Sequence, residues 1–151
     1  MARSDYRFAW SARARYAEVD AQAVVFNSRY LEYFDIGITE YFRAAGLYPE
    51  PNLQGAPEMH VVKAEVVYHT PILLDEEMAI CVRCEKVGRT SLTFAFEVHG
   101  LANGPDGEDL RASGTEVQVH VRHHDKQQIP QRPAPRTKTF QGIKKRILLK
   151  S

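Results

Sequence analysis

The sequence predicts an α+β fold in which one curved antiparallel sheet of five strands wraps around a single long helix. One segment has the three- and four-residue apolar period of a helix, and four later segments alternate apolar and polar residues as strands do. The connections between those strands are short, which favours antiparallel pairing because parallel strands need long crossovers. A chain of 151 residues suits one packed core, so we predict a single domain.

The helix is predicted over residues 28–45. Six apolar residues recur there on one face: Leu31, Phe34, Ile38, Tyr41, Phe42 and Ala45. Ser28 or Asn27 is suited to the N-cap, because a short polar side chain can accept a hydrogen bond from the first turn. Gly46, with Pro49 soon after it, ends the helix.

Five segments are predicted to be strands. Residues 8–17 combine aromatic and small side chains, and the other four segments alternate apolar with polar positions: 62–68, 78–84, 91–98 and 116–122. The stretches 101–109 and 129–135 are rich in Gly, Pro and polar residues and are predicted to be loops. One helix cannot cover so large a sheet, so we expect apolar sheet surface to pair with a second copy of the chain.

Neither the cysteines nor the histidines form a ligand pattern. Cys81 and Cys84 lie three positions apart in a predicted strand and point to opposite faces, which disfavours a disulfide or a shared metal. His120 and His123 are separated in the same way, and no Asp, Glu or Cys is spaced to complete a metal site. We therefore assign no metal.

The composition, 44% hydrophobic and 26% charged, is that of a soluble globular protein. The polar N-terminus leads into no apolar segment of secretory length, and no apolar run approaches the ~18 residues of a membrane span. We therefore predict a cytoplasmic protein that does not bind membranes.

Several segments together resemble one enzyme family. Residues 15–20 (RYAEVD), 24–27 (VVFN) and 30–34 (YLEYF) resemble the opening motif of the hotdog-fold acyl-CoA thioesterases of the 4-hydroxybenzoyl-CoA thioesterase type. Residues 66–71 (VVYHTP) and 87–92 (VGRTSL) resemble the second and fourth strands of the same family. The resemblance implies the hotdog fold, a homodimer or homotetramer, and acyl sites at the subunit interface. It implies no cofactor, since coenzyme A is part of the substrate.

By this resemblance Asp20 matches the family's catalytic carboxylate. A thioester carbonyl needs a nucleophile or a base that activates water, and a carboxylate can serve as either. The oxyanion that forms needs donors, and backbone N–H groups near Asn27 and Ser28, or in the loop around residues 55–60, are the candidates. Many relatives have a glycine three residues after the aspartate, where this chain has Ala23.

Five further residues are candidates for substrate binding. Asn27 stands where one subgroup has a histidine, so it can form hydrogen bonds but cannot act as an acid or base near neutral pH. Tyr30 is a candidate for lining an acyl tunnel, and packing in the core is the alternative. Arg89, Thr90 and Ser91 either form a solvated hairpin turn or contact the phosphopantetheine or nucleotide part of coenzyme A.

The predicted activity is hydrolysis of a small or medium acyl-CoA to the free acid and CoA. Hydrolysis of acyl-carrier-protein thioesters is one alternative. A non-catalytic acyl-binding module is another, because Ala23 and Asn27 depart from the family pattern. The sequence does not identify the acyl group.

The charge distribution separates a domain over residues 1–125 from a basic tail over 126–151. The first part holds 12 basic and 19 acidic residues, whereas the tail holds 8 basic and no acidic residues. Apolar residues at helical spacing, Phe140, Ile143 and Ile147, favour a docked helix; contact with the coenzyme phosphates and a disordered anion-binding arm are alternatives. The tail nearly lacks aromatic residues that could stack on bases, so we predict no nucleic-acid binding.

Overall fold

The computed structural model describes residues 5–48, 56–121 and 140–148. Five antiparallel strands form one sheet in the order β1-β3-β4-β5-β2. The elements are β1 (Phe8–Arg13), α1 (Arg29–Ala44), β2 (Met59–Tyr68), β3 (Glu77–Val87), β4 (Ser91–Gly100), β5 (Leu110–His120) and α2 (Phe140–Leu148). The predicted α+β fold, with a five-stranded antiparallel sheet and one long helix, is confirmed.

Helix α1 packs closely on the centre of the sheet. A β-carbon at Gly37 would lie 2.6 Å from the Ile80 side chain and 2.9 Å from that of Val82, so this contact with β3 requires glycine. Phe34 stacks on Phe96 of β4 with ring centroids 4.4 Å apart, and its ring lies over Gly114 of β5. The fully buried aromatic residues of α1 and β4 therefore form the centre of the core.

The ends of α1 follow the sequence signals. The helix covers all but the first and last residues of the predicted range, and Gly46 ends it with a φ of 71°. Ser28 occupies the N-cap position, but its side chain makes no capping hydrogen bond. The first turn of α1 is therefore left without a side-chain cap.

Two predicted strand boundaries are wrong. The first strand ends at Arg13, and a 3-10 turn follows at Tyr16–Glu18, because Ala14 pairs with the 75–76 turn, its N–H donating to the Glu76 carbonyl at 3.0 Å. The last strand begins at Leu110, before the predicted start at residue 116. The first half of β5 lacks a clear alternation of apolar and polar residues. One reason is that Gly114 lies directly under Phe34, where no side chain fits.

Strand β2 is an open edge of the sheet. None of its residues is buried, and Val61, Val62, Val67 and Tyr68 each expose more than half of their surface. Helix α1 packs on β3, β4 and β5, and it contacts β2 through Tyr30, whose ring lies against that of Tyr68. The expected apolar sheet surface is therefore present, at an edge whose backbone groups face away from the sheet.

The described end of the basic tail docks on the domain. Ile143 and Ile147 of α2 are fully buried in the main core, and the Tyr41 hydroxyl donates to the Ile147 carbonyl at 3.4 Å. The stretch 122–139, with His123 and the predicted loop at 129–135, lies outside the described residues. The domain boundary at residue 125 stays a prediction. No helix within the described ranges is long and apolar enough to cross a membrane.

The two cysteines point to opposite faces, as predicted. Cys84 belongs to the main core beneath α1, whereas Cys81 lies on the other face of the sheet with Tyr6, Ala79 and Ala95. Neither cysteine forms a disulfide, and both are buried.

Candidate active site

Asp20 lies in a tight hairpin between the 3-10 turn and α1. Its backbone N–H donates to the Val24 carbonyl, and Ala23 donates to the Asp20 carbonyl, each at 2.9 Å. The Oδ1 atom of Asp20 accepts the Gln22 N–H at 2.7 Å. No hydrogen bond from the described residues reaches the other carboxylate oxygen, and the side chain is half-buried. One oxygen is thus held in place and the other is available to a substrate or water.

Ala23 adopts the left-handed backbone conformation, with a φ of 59°. Glycine adopts this conformation without strain, whereas a β-carbon clashes with the following carbonyl. The resemblance places a glycine at this position in many relatives, and the turn explains why. Alanine preserves the same hairpin at a cost in strain.

A second turn, residues 71–76, supports the hairpin. Val25 donates to the Ile72 carbonyl at 2.8 Å, and Leu74 donates to the Ala23 carbonyl at 3.0 Å. Any movement of this turn would therefore move the Asp20 hairpin.

Arg111 of β5 holds that second turn in place. Its guanidinium forms a bidentate ion pair with Glu76, donates to the Pro71 carbonyl at 2.8 Å and bonds both oxygens of Asp109 at 2.8 and 3.0 Å. The hydrogen bond from Arg111 lowers the pKa of Asp109 below its ordinary value. The sequence analysis missed Arg111, because it lies in a stretch with no clear strand alternation and no motif.

Glu18 connects the hairpin to α1. Its Oε1 atom accepts from the Arg15 N–H at 2.8 Å and from the Tyr33 hydroxyl at 3.1 Å. Tyr33 is almost fully buried, and burial, together with the Glu18 carboxylate, raises its pKa. A charged side chain such as Glu18 is usually exposed, but this carboxylate is half-buried and links the hairpin to α1 through its two hydrogen bonds.

Asn27 and Tyr30 lie at the junction of the hairpin and α1. The Asn27 carbonyl accepts from the Tyr68 hydroxyl at 2.9 Å, and its side chain is exposed. The N–H groups of Asn27 and Ser28 form no hydrogen bond with any described residue. Tyr30 is 3% exposed, and its ring packs edge-on against that of Tyr68, with centroids 5.1 Å apart. Tyr30 thus packs as a core residue beside the hairpin.

Arg89, Thr90 and Ser91 lie far from Asp20 within one chain. Arg89 and Thr90 lie in the turn after β3, and Ser91 begins β4. The Thr90 carbonyl accepts from the His120 backbone N–H at 2.9 Å. The Asp20 hairpin adjoins the opposite end of β3, since its supporting turn leads directly into Glu77. Eleven residues of strand separate the two ends, a length on the order of 30 Å. One chain alone does not bring these predicted site residues together.

Exposed apolar side chains surround the hairpin. Phe26, Leu31, Tyr68 and Leu73 each expose more than 40% of their surface. A patch of this kind around a carboxylate indicates a surface that binds a ligand or another chain. The described residues contain no group of three or more His, Cys, Asp or Glu side chains that could hold a metal ion.

Sequence comparisons identify a family and two relatives of the chain. The chain matches the family model of the thioesterase-like superfamily over residues 14–141. A putative esterase from Aquifex aeolicus is 26% identical over 91 residues, which are 60% of this chain and 71% of that protein. The acyl-CoA thioester hydrolase YbgC of Escherichia coli is 26% identical over 96 residues, which are 64% of this chain and 72% of that protein.

Solved structures show the same architecture. A 1,4-dihydroxy-2-naphthoyl-CoA thioesterase from Synechocystis superposes with a TM-score of 0.72 at 12% identity, covering 93% of this chain and 95% of that one. At this identity the likeness concerns the fold alone. It confirms the hotdog fold expected from the resemblance.

Proposed function

We propose that this chain, which belongs to the thioesterase-like superfamily, hydrolyses small or medium acyl-CoA thioesters to the free acid and CoA. The observation that carries this proposal is the Asp20 hairpin, in which one carboxylate oxygen is fixed and the other is left without a hydrogen bond from the described residues. A carboxylate held in this way is oriented towards a reacting group before the substrate arrives.

The start of α1 supports a role in stabilising the oxyanion. The Asn27 and Ser28 N–H groups have no hydrogen-bond partner among the described residues and lie at the positive end of the helix dipole. Such donors stabilise the negative charge that develops on the thioester oxygen. The alternative oxyanion donors are the backbone N–H groups around residues 55–60, and the first of these residues, Gly55, lies outside the described residues.

Two mechanisms fit this arrangement. As a general base, Asp20 takes a proton from water, the hydroxide attacks the carbonyl carbon, and the C–S bond breaks to release the CoA thiolate, which is then protonated. As a nucleophile, Asp20 attacks the carbonyl carbon, the CoA thiolate leaves, and water hydrolyses the resulting anhydride. A single turnover in ¹⁸O-labelled water separates them, because only the anhydride route can leave the label in the Asp20 carboxylate.

A second copy of the chain would bring the remaining predicted residues to the site. Met59 pairs with His120 and Ser91 with Val119, so the Arg89–Ser91 turn lies near the Met59 end of β2. Tyr68, at the other end of β2, bonds the Asn27 carbonyl beside Asp20. Antiparallel pairing of two β2 edges would place the turn of one copy near the hairpin of the other. We therefore propose a homodimer, alone or as half of a tetramer, with shared sites.

The first test replaces Asp20 with Asn. We expect kcat on a panel of acyl-CoAs, followed by thiol release, to fall by about 100-fold or more, because the amide cannot act as base or nucleophile. Asp75→Asn is the matched control, since Asp75 is an exposed turn aspartate paired only loosely with Arg13, at 3.6 Å. Equal rates for wild type and Asp20→Asn would remove Asp20 from the mechanism.

The same panel separates the alternatives. Slow turnover of free acyl-CoAs with fast turnover of acyl-carrier-protein esters would favour the carrier-protein substrate. Saturable acyl-CoA binding without product would favour the non-catalytic acyl-binding module.

A further inference from the structure

A histidine and a glutamate are buried on the face of the sheet opposite α1. His99 and Glu97, both on β4, are 2% and 4% exposed. Glu97 lies directly opposite Cys81 of β3, and directly opposite residues of a sheet share a face. Cys81 belongs to the smaller buried cluster on that face, so the pair lies outside the main core. Neither side chain takes part in the thioester chemistry proposed above.

Both ring nitrogens of His99 are hydrogen-bonded. Nε2 lies 2.7 Å from a carboxylate oxygen of Glu97, and Nδ1 accepts the backbone N–H of Asp109 at 3.1 Å. A backbone N–H can only donate, so Nδ1 carries no proton and Nε2 carries one. The imidazole is therefore neutral in this arrangement, and the bond to Glu97 fixes its tautomer.

Asp109 joins this imidazole to the Arg111 guanidinium. Its N–H bonds His99, its carbonyl accepts the Gly100 N–H at 2.9 Å, and both of its carboxylate oxygens bond Arg111. A β-carbon at Gly100 would lie 2.7 Å from a guanidinium nitrogen of Arg111, so the glycine leaves room for the ion pair at the end of β4. The position of Asp109 thus depends on His99 and determines how Arg111 is held.

The hydrogen bonds continue from Arg111 to the candidate catalytic residue. The guanidinium donates to the Pro71 carbonyl at 2.8 Å. Pro71 begins the turn from which Leu74 donates to Ala23 of the Asp20 hairpin, at 3.0 Å. A continuous set of hydrogen bonds therefore runs from the buried imidazole to the hairpin.

A second proton on His99 would break the first bond of this set. An imidazole takes up its second proton in mildly acidic solution, and both ring nitrogens are then donors. Glu97 can keep its bond to the protonated ring, whereas the Asp109 N–H would face another donor in a buried site, which is unfavourable. The titratable and charged side chains around His99 on the described elements are Glu97 of β4, Glu77 and Cys81 of β3, and Asp109 and Arg111 of β5.

We infer that His99 is a positioning residue whose protonation in mild acid releases Asp109 and loosens the Asp20 hairpin. This inference rests on the proposed thioesterase function and adds a pH-dependent control to it. The neutral imidazole keeps Asp109 and Arg111 in place, and the imidazolium does not.

The test measures kcat and KM for one acyl-CoA across this pH range in wild type and in His99→Gln. Glutamine can offer an oxygen to the Asp109 N–H and an amide to Glu97, but it does not titrate. We expect wild-type kcat to fall by about 10-fold between about pH 7.5 and about pH 5.5, with little change in KM, because an imidazole changes its charge in this interval. In His99→Gln the fall should be less than about 2-fold, since an ordinary carboxylate takes up its proton only in stronger acid.

His69→Gln is the matched control. His69 is exposed, and its Nε2 lies 2.9 Å from the Ser113 hydroxyl. Its protonation leaves the bonds of Asp109 intact, so this variant should keep the wild-type loss in acid. Wild-type kcat that is equal at the two pH values overturns the role of His99, and so does an acid loss that persists in His99→Gln.

Amide hydrogen exchange of wild type tests the inference without turnover and without a variant that must fold. We expect the protection of the Asp109 and Leu74 amides, corrected for the intrinsic exchange rate, to fall by about 10-fold over the same interval. The Phe96 amide in the central strand should keep its protection. Unchanged protection at Asp109 overturns the inference even if acyl-CoA is hydrolysed. Lost protection in a protein that hydrolyses no acyl-CoA would retain the role of His99 and reject the proposed function.

Discussion

Ala23 has a strained backbone conformation in the turn that holds the candidate catalytic residue Asp20. Its positive φ closes the turn that fixes Asp20, and its carbonyl accepts the hydrogen bond from the supporting turn at Leu74. A left-handed alanine costs about 1–2 kcal/mol relative to an unstrained one. The strain is therefore stored beside the proposed catalytic carboxylate.

Ala23→Gly should stabilise the protein. Relief of the β-carbon clash is partly offset by the greater freedom of glycine in the unfolded chain, which leaves a net gain of about 0.5–1 kcal/mol in the free energy of unfolding. Urea unfolding measures it. Ala21→Gly is the control in the same turn: Ala21 is not among the residues with positive φ, so glycine there should destabilise. A loss of stability in Ala23→Gly would show that the turn is not strained.

Among the elements, the 71–76 turn and β5 depend on one guanidinium. Arg111 is 11% exposed and connects Glu76 to Asp109, so the turn that supports the Asp20 hairpin is fixed to the sheet. Removing one partner of such a pair leaves the remaining charges poorly solvated.

Arg111→Met should lower the free energy of unfolding by about 3 kcal/mol and reduce kcat/KM by loosening the hairpin. Arg13→Met, which removes exposed bonds to the same turn, should cost less than about 1 kcal/mol.

Asp109 has a lowered pKa in the folded protein, so its contribution to stability is present above its ordinary pKa and is lost as the pH falls through the lowered pKa. Chemical unfolding should therefore show the gap between wild type and Arg111→Met narrowing in acid; a constant gap would contradict the role of Asp109.

The sequence predicted the elements whose periodicity reflects one buried face. Helix α1 is the clearest case. Strand β5 was placed only in part, because its first half has small residues that make room for Phe34. The alternation around Glu116 and Gln118 was visible in the sequence, but alternation does not show which face meets a helix. The position of this polar pair under α1 could therefore be seen only in the three-dimensional structure.

For the whole molecule, one chain separates the candidate catalytic and coenzyme-binding residues. The resemblance indicated Asp20 as the candidate carboxylate, and the Arg89–Ser91 turn was a candidate for coenzyme A contact, but the sequence could not show that β3 separates them. A shared site at paired β2 edges would reunite them.

Mixing two inactive variants tests this shared site. We expect Asp20→Asn and Arg89→Glu each to lower kcat/KM strongly, and subunit exchange between them to restore activity, because each heterodimer then contains one site with both native residues. Activity is measured after exchange, and native mass spectrometry confirms the heterodimer. Mixing Asp20→Asn with the Asp20→Asn/Arg89→Glu double variant is the control and should restore nothing. Heterodimers without recovered activity would refute the shared site.

The placement of the two thiols has a practical consequence for measuring turnover. Burial raises the pKa of Cys84 to about 11, and Cys81 is shielded on the other side of the sheet. Disulfide dyes that detect released coenzyme A react with thiolates, so the folded enzyme should contribute almost no background colour. The rate at which these dyes label each cysteine also measures local opening, because a buried thiol reacts only when its side of the sheet becomes exposed to solvent.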